Sequence, residues 1–104
     1  MNSTSGLERW SAIAKVIPRP GNHTLGEARG AFVGIAALSH DEKDFRDKVA
    51  RLFAALEFEL EGLDDIGPIR CEADYGRMHD EIRDKVRALS ISNPLTYGSF
   101  HSFE

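Results

Sequence analysis

The alternation of apolar and polar residues is clearest in residues 57–65, where it predicts a strand. Phe58 and Leu60 stand between carboxylates, which is the two-residue period of a strand that buries one face and exposes the other. Side chains on one face of a strand repeat about every 6.6 Å, so a ladder of like charge is expected. Its members are Glu57, Glu59 and Glu61, followed by Asp64 and Asp65. Such a ladder either protects a sheet edge from aggregation or binds a partner.

Three other stretches are predicted strands. Residues 8–17 are rich in strand-forming residues and stop at a turn cluster of Pro and Gly. Residues 31–38 are nearly all apolar, as expected of a central strand that is covered on both faces. Residues 95–104 form the last strand, whereas residues 1–7 are expected to be flexible.

Apolar residues at helical spacing predict a helix after the second strand. It begins at Ser39, which is expected to form a reciprocal capping box with Glu42, and it ends near Leu56. Its apolar stripe consists of Phe45, Val49, Leu52, Phe53 and Leu56.

A second helix is predicted to start with Asp74 as its cap and to end at Asn93-Pro94. Gly76 weakens its first turn, because glycine has a low helix propensity. Its apolar face consists of Tyr75, Met78, Ile82, Val86 and Leu89.

The predicted order is strand, strand, helix, strand, helix, strand, which indicates a single α+β domain over residues 1–104. One four-stranded antiparallel or mixed sheet with both helices packed on one face would satisfy these elements. The other face of the sheet is then the candidate binding surface. The apolar stretch 31–38 argues against this packing in part, since it requires cover on both sides from a dimer partner or a long loop.

The negative charge is concentrated in one segment. The net charge is only −4, but residues 57–74 carry seven acids against Arg70 alone. A nucleic-acid partner would be repelled by this segment, whereas a basic protein would be attracted.

No run of apolar residues is long enough to cross a membrane, and Cys71 is the single cysteine. Together with a start that lacks the features of a secretion signal, these properties predict a cytoplasmic protein.

No group of residues has the spacing of a catalytic or metal-binding motif. Cys71 and His79 lack the second pair that a structural metal site uses, so neither a metal nor a cofactor is expected. The glutamates of the acidic strand lack the deep cleft that a glycosidase requires.

A small enzyme or ligand-binding domain with a site near His101 and Tyr97 is the alternative to a protein-binding function. A substantial apolar pocket with convergent polar groups would favour that alternative.

Residues 97–103 resemble the ending of a known class of proteins. Their sequence, Tyr-Gly-Ser-Phe-His-Ser-Phe, looks like the closing motif Tyr-Gly-Thr-Phe-His-Thr-Tyr of small bacterial immunity proteins encoded beside polymorphic toxins. Ser99, Ser102 and Phe103 depart conservatively from that motif. The acidic turn at residues 63–69 is also similar to the loop after the third strand in that class. Within the class, the chain resembles the immunity proteins of contact-dependent growth inhibition systems most.

The resemblance implies a non-enzymatic protein that binds the C-terminal domain of a toxin, often a nuclease, in a one-to-one complex and neutralises it. A nuclease presents Lys and Arg to phosphates, and a row of carboxylates can occupy that surface. Tyr75 is expected either to anchor this contact or to pack in the helix core. The predicted partner-binding residues are Glu57, Glu59, Glu61, Asp64, Asp65, Glu72, Asp74 and Tyr75, with no direct contact to nucleic acid or membrane.

Overall fold

The computed structural model describes residues 6–76, 78 and 80–103. Within them the strands are β1 (Glu8–Pro18), β2 (Gly30–Ser39), β3 (Phe58–Ile69) and β4 (Leu95–Phe103), and the helices are α1 (Glu42–Ala55), α2 (Glu72–Gly76) and α3 (Asp80–Arg87). All four predicted strands are confirmed. The turn predicted for residues 63–69 was wrong, because β3 continues through them to Ile69. Residues 1–5 of the segment predicted to be flexible, and residue 104 of the predicted last strand, lie outside the described residues. None of these three helices is long and apolar enough to cross a membrane.

The four strands form one antiparallel sheet in the order β3-β1-β2-β4. The α+β class and the single four-stranded sheet are therefore confirmed. In the described ranges, two helices rather than one separate β3 from β4, which corrects the predicted element order. Because β1 and β2 occupy the centre, the acidic strand β3 is an edge of the sheet.

α1 covers one face of the sheet. Its predicted apolar stripe is confirmed, since Phe45, Val49 and Phe53 are fully buried. These side chains pack against the central strands, which contribute several alanines: Ala12, Ala14, Ala31 and Ala37. Because alanine side chains are small, rings from the two edge strands meet above the centre, and the ring centroids of Phe58 and Phe100 lie 5.2 Å apart. The rings of Phe45, Phe53, Phe58 and Phe100 thus come from α1 and the edges of the sheet, while the central strands add Val16, Val33 and Ile35.

α3 packs on the opposite face of the sheet, so the prediction that both helices lie on one face was wrong. A separate buried cluster forms there from Ala36, Ile69, Ile82, Val86 and Leu89. A Cβ atom built on Gly34 would lie 3.8 Å from Cγ1 of Ile82, which places α3 over β2. The reason is the apolar character of β2, whose alternate residues face α1 and α3 and need cover on both sides. α3 supplies cover that was expected from a dimer partner or a long loop.

The helix predicted from Asp74 onwards is divided into α2 and α3. Gly76 ends α2, as expected from the weak helix propensity of glycine. The side chain of Arg83 bridges the break, since its Nε donates to the carbonyl of Tyr75 at 3.1 Å and its Nη2 to the carbonyl of Met78 at 2.9 Å. The bond to Tyr75 gives a partner to a carbonyl in the last turn of α2, where helical partners are missing, and the bond to Met78 reaches a carbonyl between α2 and α3.

Arg9 of β1 ties the end of α3 to the sheet. Its Nε donates to the carbonyl of Val86 at 3.0 Å, and its Nη2 donates to the carbonyl of Leu89 at 3.3 Å. Carbonyls in the last helical turn lack partners within the helix, and a cation there also interacts favourably with the helix dipole. The position of α3 is therefore set by polar contacts as well as by its apolar face.

α1 begins with a reciprocal cap, but not with the predicted residues. Asp41 is the N-cap and accepts from the backbone N–H of Asp44 at 2.8 Å, while the carboxylate of Asp44 accepts from the N–H of His40 at 2.9 Å. The predicted box of Ser39 and Glu42 was wrong, because β2 continues through Ser39 and buries its side chain.

Substitution of Gly30 by alanine is expected to destabilise the protein. A Cβ atom at this position would lie 2.6 Å from the carbonyl oxygen of Val16 and 2.7 Å from side-chain atoms of Ile17 and Phe103. Because backbone cannot move as a flexible side chain does, we expect a loss of about 1–3 kcal/mol in the free energy of unfolding, measured by urea denaturation. Gly62→Ala is the matched control, since no heavy atom lies within 4 Å of its added Cβ. Equal stabilities of the two variants would contradict the close packing at Gly30.

Candidate functional site

β3 carries the candidate site along an edge of the sheet. Glu59, Glu61, Asp64 and Asp65 are all exposed. Glu59 lies opposite Ile17 of β1 and Asp64 lies opposite Ile13. Because directly paired residues point to the same face of a sheet, these two carboxylates lie on the face opposite α1. The acidic edge, defined here as Glu57, Glu59, Asp64 and Asp65, therefore borders the face that α3 covers in part.

The acidic residues do not form the regular ladder that the sequence predicts. Glu57 precedes β3 in a turn with a φ angle of 65°, and its carbonyl accepts from the backbone N–H of Arg19 at 3.0 Å and from Nδ2 of Asn22 at 2.8 Å. Two register shifts against β1 then interrupt the alternation of β3. An extra residue in one strand redirects the side chains that follow, so the spacing of the carboxylates is uneven.

The neighbouring strand neutralises one member of the predicted set. Nζ of Lys15 lies 3.0 Å from Oε1 of Glu61. Within the described ranges, no ion pair involves any of the four residues of the acidic edge. Among the described residues of β3 and the turn before it, the carboxylates without an ion pair are therefore those of the acidic edge rather than that of Glu61.

Glu72 and Tyr75 make contacts that connect α2 to α3. Both oxygens of Glu72 accept from Arg87, at 2.8 and 3.2 Å, and the Arg87 guanidinium lies 4.2 Å from the ring centroid of Tyr75. The hydrogen bond from Arg87, followed by its charge, holds the pKa of Glu72 below its ordinary value. Tyr75 also packs against the buried cluster under α3. Both residues thus have a structural role within the protein.

Asp74 also has a structural role, at the start of α2. Its Oδ2 accepts from the backbone N–H of Arg70 at 2.9 Å and from that of Cys71 at 3.3 Å. It therefore accepts from the residues before the helix, whereas the sequence predicted Asp74 as the N-cap. A role of Glu72, Asp74 and Tyr75 in partner binding stays a prediction.

A cavity of about 490 Å³ lies between the sheet and Asp74, Met78 and Ile82. Much of its wall is apolar, from Ile13, Pro68, Ile69, Met78 and Ile82. Gly34 and Gly67 contribute backbone without side chains, and Asp65 and Asp74 supply carboxylates. The cavity is therefore an apolar space with an acidic component, next to the acidic edge.

Tyr97 and His101 do not come together in one site. Tyr97 pairs with Ile35 and packs against the core under α1. His101 is exposed and pairs with Phe32, whose side chain lies on the other face of the sheet. A register shift in the intervening part of β4 accompanies this change of face. Tyr97 and His101 therefore share no surface on which the alternative ligand site could form.

The part of the chain that the structure describes contains no candidate metal-binding site. There, no group of three or more His, Cys, Asp or Glu side chains is placed to hold a metal ion. Cys71 is exposed, and its Sγ donates to Oδ2 of Asp74 at 3.5 Å. His79, considered with Cys71 from the sequence, lies outside the described residues.

Two exposed apolar side chains were not identified from the sequence as candidate functional residues. Ile13 is 38% exposed and Phe32 is 40% exposed, on the two central strands. Their register places both side chains on the face opposite α1. The signal in the sequence was the apolar character of β2, which predicted cover on both faces but not which residue would remain uncovered.

Comparisons with protein-family models, with curated proteins and with solved structures found no match.

Substitution of Glu72 by glutamine tests its structural role through pH. The pKa of Glu72 is lowered in the folded state from its ordinary value of 4.5, so its stabilising effect is present above that value and is lost as pH falls through the lowered pKa. We expect Glu72→Gln to be less stable than the wild type near neutral pH and equally stable in acid, as measured by urea denaturation. Glu59→Gln is the control, because Glu59 has no ion pair among the described residues. A difference for Glu72→Gln that persists unchanged in acid would contradict this role.

Proposed function

We propose that this protein is an immunity protein that binds and neutralises the C-terminal toxin domain of a contact-dependent growth inhibition or related polymorphic toxin. The observation that carries the proposal is the acidic edge, with four exposed carboxylates along one side of the sheet. The likeness of residues 97–103 to the ending of bacterial immunity proteins gives the proposal its class. The partner is a toxin domain with a basic surface, as a nuclease has, in a one-to-one complex in the cytoplasm.

Electrostatics supports this pairing. A nuclease concentrates Lys and Arg where phosphates bind, and carboxylates on an inhibitor can occupy that surface and exclude the substrate. Charges on the two proteins attract over about 8–10 Å at ordinary ionic strength, so several carboxylates on one edge act together during encounter. The inhibitor itself needs no catalytic group, so no enzymatic activity is proposed.

The same carboxylates also protect an edge strand from pairing with other chains. This protection needs charge but no particular partner. A specific complex with a basic protein distinguishes binding from protection, because only binding requires charge complementarity at defined positions.

Reversal of charge on the acidic edge is expected to weaken toxin binding. The partner to test is the toxin domain encoded by the reading frame immediately upstream. For Glu59→Lys combined with Asp64→Lys, we expect a Kd about tenfold or more above that of the wild type, because both changes place like charge against a basic surface. Titration calorimetry at ionic strengths of about 0.1 M and about 1 M measures this, since the Debye length falls from about 10 Å to about 3 Å. The variant should show a weaker dependence on salt than the wild type.

Asp47→Lys is the control for a charge reversal away from the acidic edge. Asp47 lies on α1, which covers the other face of the sheet, and it too carries an exposed carboxylate. Its reversal should leave the Kd within about twofold of the wild-type value, as surface changes away from an interface do. Failure of the wild type to bind would refute the immunity function. Unchanged binding by the reversed acidic edge would refute the proposed site alone.

A further inference from the structure

The face of the sheet opposite α1 is only partly covered. α3 lies over the end of β2 that contains Gly34 and Ala36. Beside that end, Ile13, which pairs with Gly34, is 38% exposed, and Phe32, which pairs with Lys15, is 40% exposed. The two side chains are diagonal neighbours on this face, and the ring of Phe32 also lies 5.2 Å from that of Phe103 between centroids. Large apolar side chains left partly open near one another in the middle of a sheet are typical of an interaction surface. We define the open face as Ile13, Phe32 and the cavity beside them.

The cavity continues this apolar surface towards α3. Ile13 lies both in its wall and on the exposed part of the face. The volume of about 490 Å³ is within the range of about 300–1,000 Å³ that is usual for ligand pockets, so a large side chain from a partner fits. Gly67 leaves room on the β3 side, because no heavy atom lies within 4 Å of a Cβ atom built there.

The charged side chains around the open face are unevenly distributed. Glu59 and Asp64 border it on the β3 side. Lys15, on the same face, is paired with Glu61 at 3.0 Å, and its Nζ also lies 5.4 Å from the ring centroid of Phe103. An apolar centre with an acidic border is complementary to an apolar side chain surrounded by Lys and Arg.

We propose that the open face is the docking surface for a loop of the basic toxin domain. An apolar side chain of that loop enters the cavity beside Ile13, and its Lys or Arg residues contact Glu59 and Asp64. This inference rests on the proposed immunity function and adds an apolar anchor to the acidic edge. Apolar residues at the centre of an interface typically carry much of its affinity, whereas charges on the rim mainly increase the association rate.

The first test is Ile13→Ala in the wild-type background, with Ile91→Ala as the matched control. Ile91 is 62% exposed and lies in the turn between α3 and β4, away from the open face. We expect Ile13→Ala to raise the Kd for the toxin domain about tenfold or more, whereas Ile91→Ala leaves it within about twofold. The increase should be similar at low and at high ionic strength, because apolar contacts are not screened by salt. The dependence of Kd on ionic strength therefore distinguishes the loss of an apolar contact in Ile13→Ala from the loss of charge attraction in the charge-reversed variant.

The second test fills the cavity through Gly67→Leu. Since the position is open to a new side chain, the fold should survive, which circular dichroism and urea denaturation check. We expect a loss of toxin binding of about tenfold or more, because leucine then occupies the space of the incoming side chain. If this variant does not fold, Ile13→Ala decides the outcome.

The outcomes separate the two proposals. Binding by Ile13→Ala within about twofold of the wild type would overturn the docking surface, and the immunity function would stand as long as the wild type binds and neutralises the toxin. A wild-type protein that does not bind the toxin domain would overturn both. A dimer of the free protein that Ile13→Ala dissociates would assign the open face to a second copy of this chain and also overturn the docking surface.

Discussion

Burial of β2 on both of its faces is the constraint on which the rest of the structure depends. β2 lies at the centre of the sheet, and its residues Val33, Ile35 and Ala36 are completely buried. α1 covers Val33 and Ile35, while α3 covers Ala36 from the opposite side. A strand with apolar residues on both faces cannot be satisfied by helices on one face, so the helices must be divided between the two. The position of α3 and the contacts that hold it follow from this requirement.

The division of the second helix limits how much of this face is covered. α3 begins only after the break that follows Gly76, and it is held by Arg9 at its end and by Arg83 at the break. A helix this short covers one end of the sheet face and leaves Ile13 and Phe32 exposed. The cavity lies where this cover ends. The break in the helix after Gly76 therefore leaves uncovered the apolar surface that is proposed to dock the toxin domain.

The edge position of β3 links stability to the proposed function. Charged residues and irregular register on an edge strand discourage pairing with other chains. The same two features are present in β3, with carboxylates and two register shifts against β1. Carboxylates that are not neutralised within the protein are also those available to a basic partner. Glu61 lies on the same edge but is less available to a partner, because Lys15 forms an ion pair with it.

The sequence by itself determined the features that depend on local periodicity: the four strands, the buried stripe of α1 and the concentration of acids after it. It also indicated, through the apolar residues 31–38, that the second strand needs cover on both faces. Only the tertiary structure decided that α3 provides this cover, that Lys15 neutralises Glu61, and that Glu72 is bound by Arg87. Periodicity reports which residues share a face of one element, but the choice of neighbour depends on strand order and register. A shift of one residue in β3 redirects its carboxylates, and no local pattern encodes that shift.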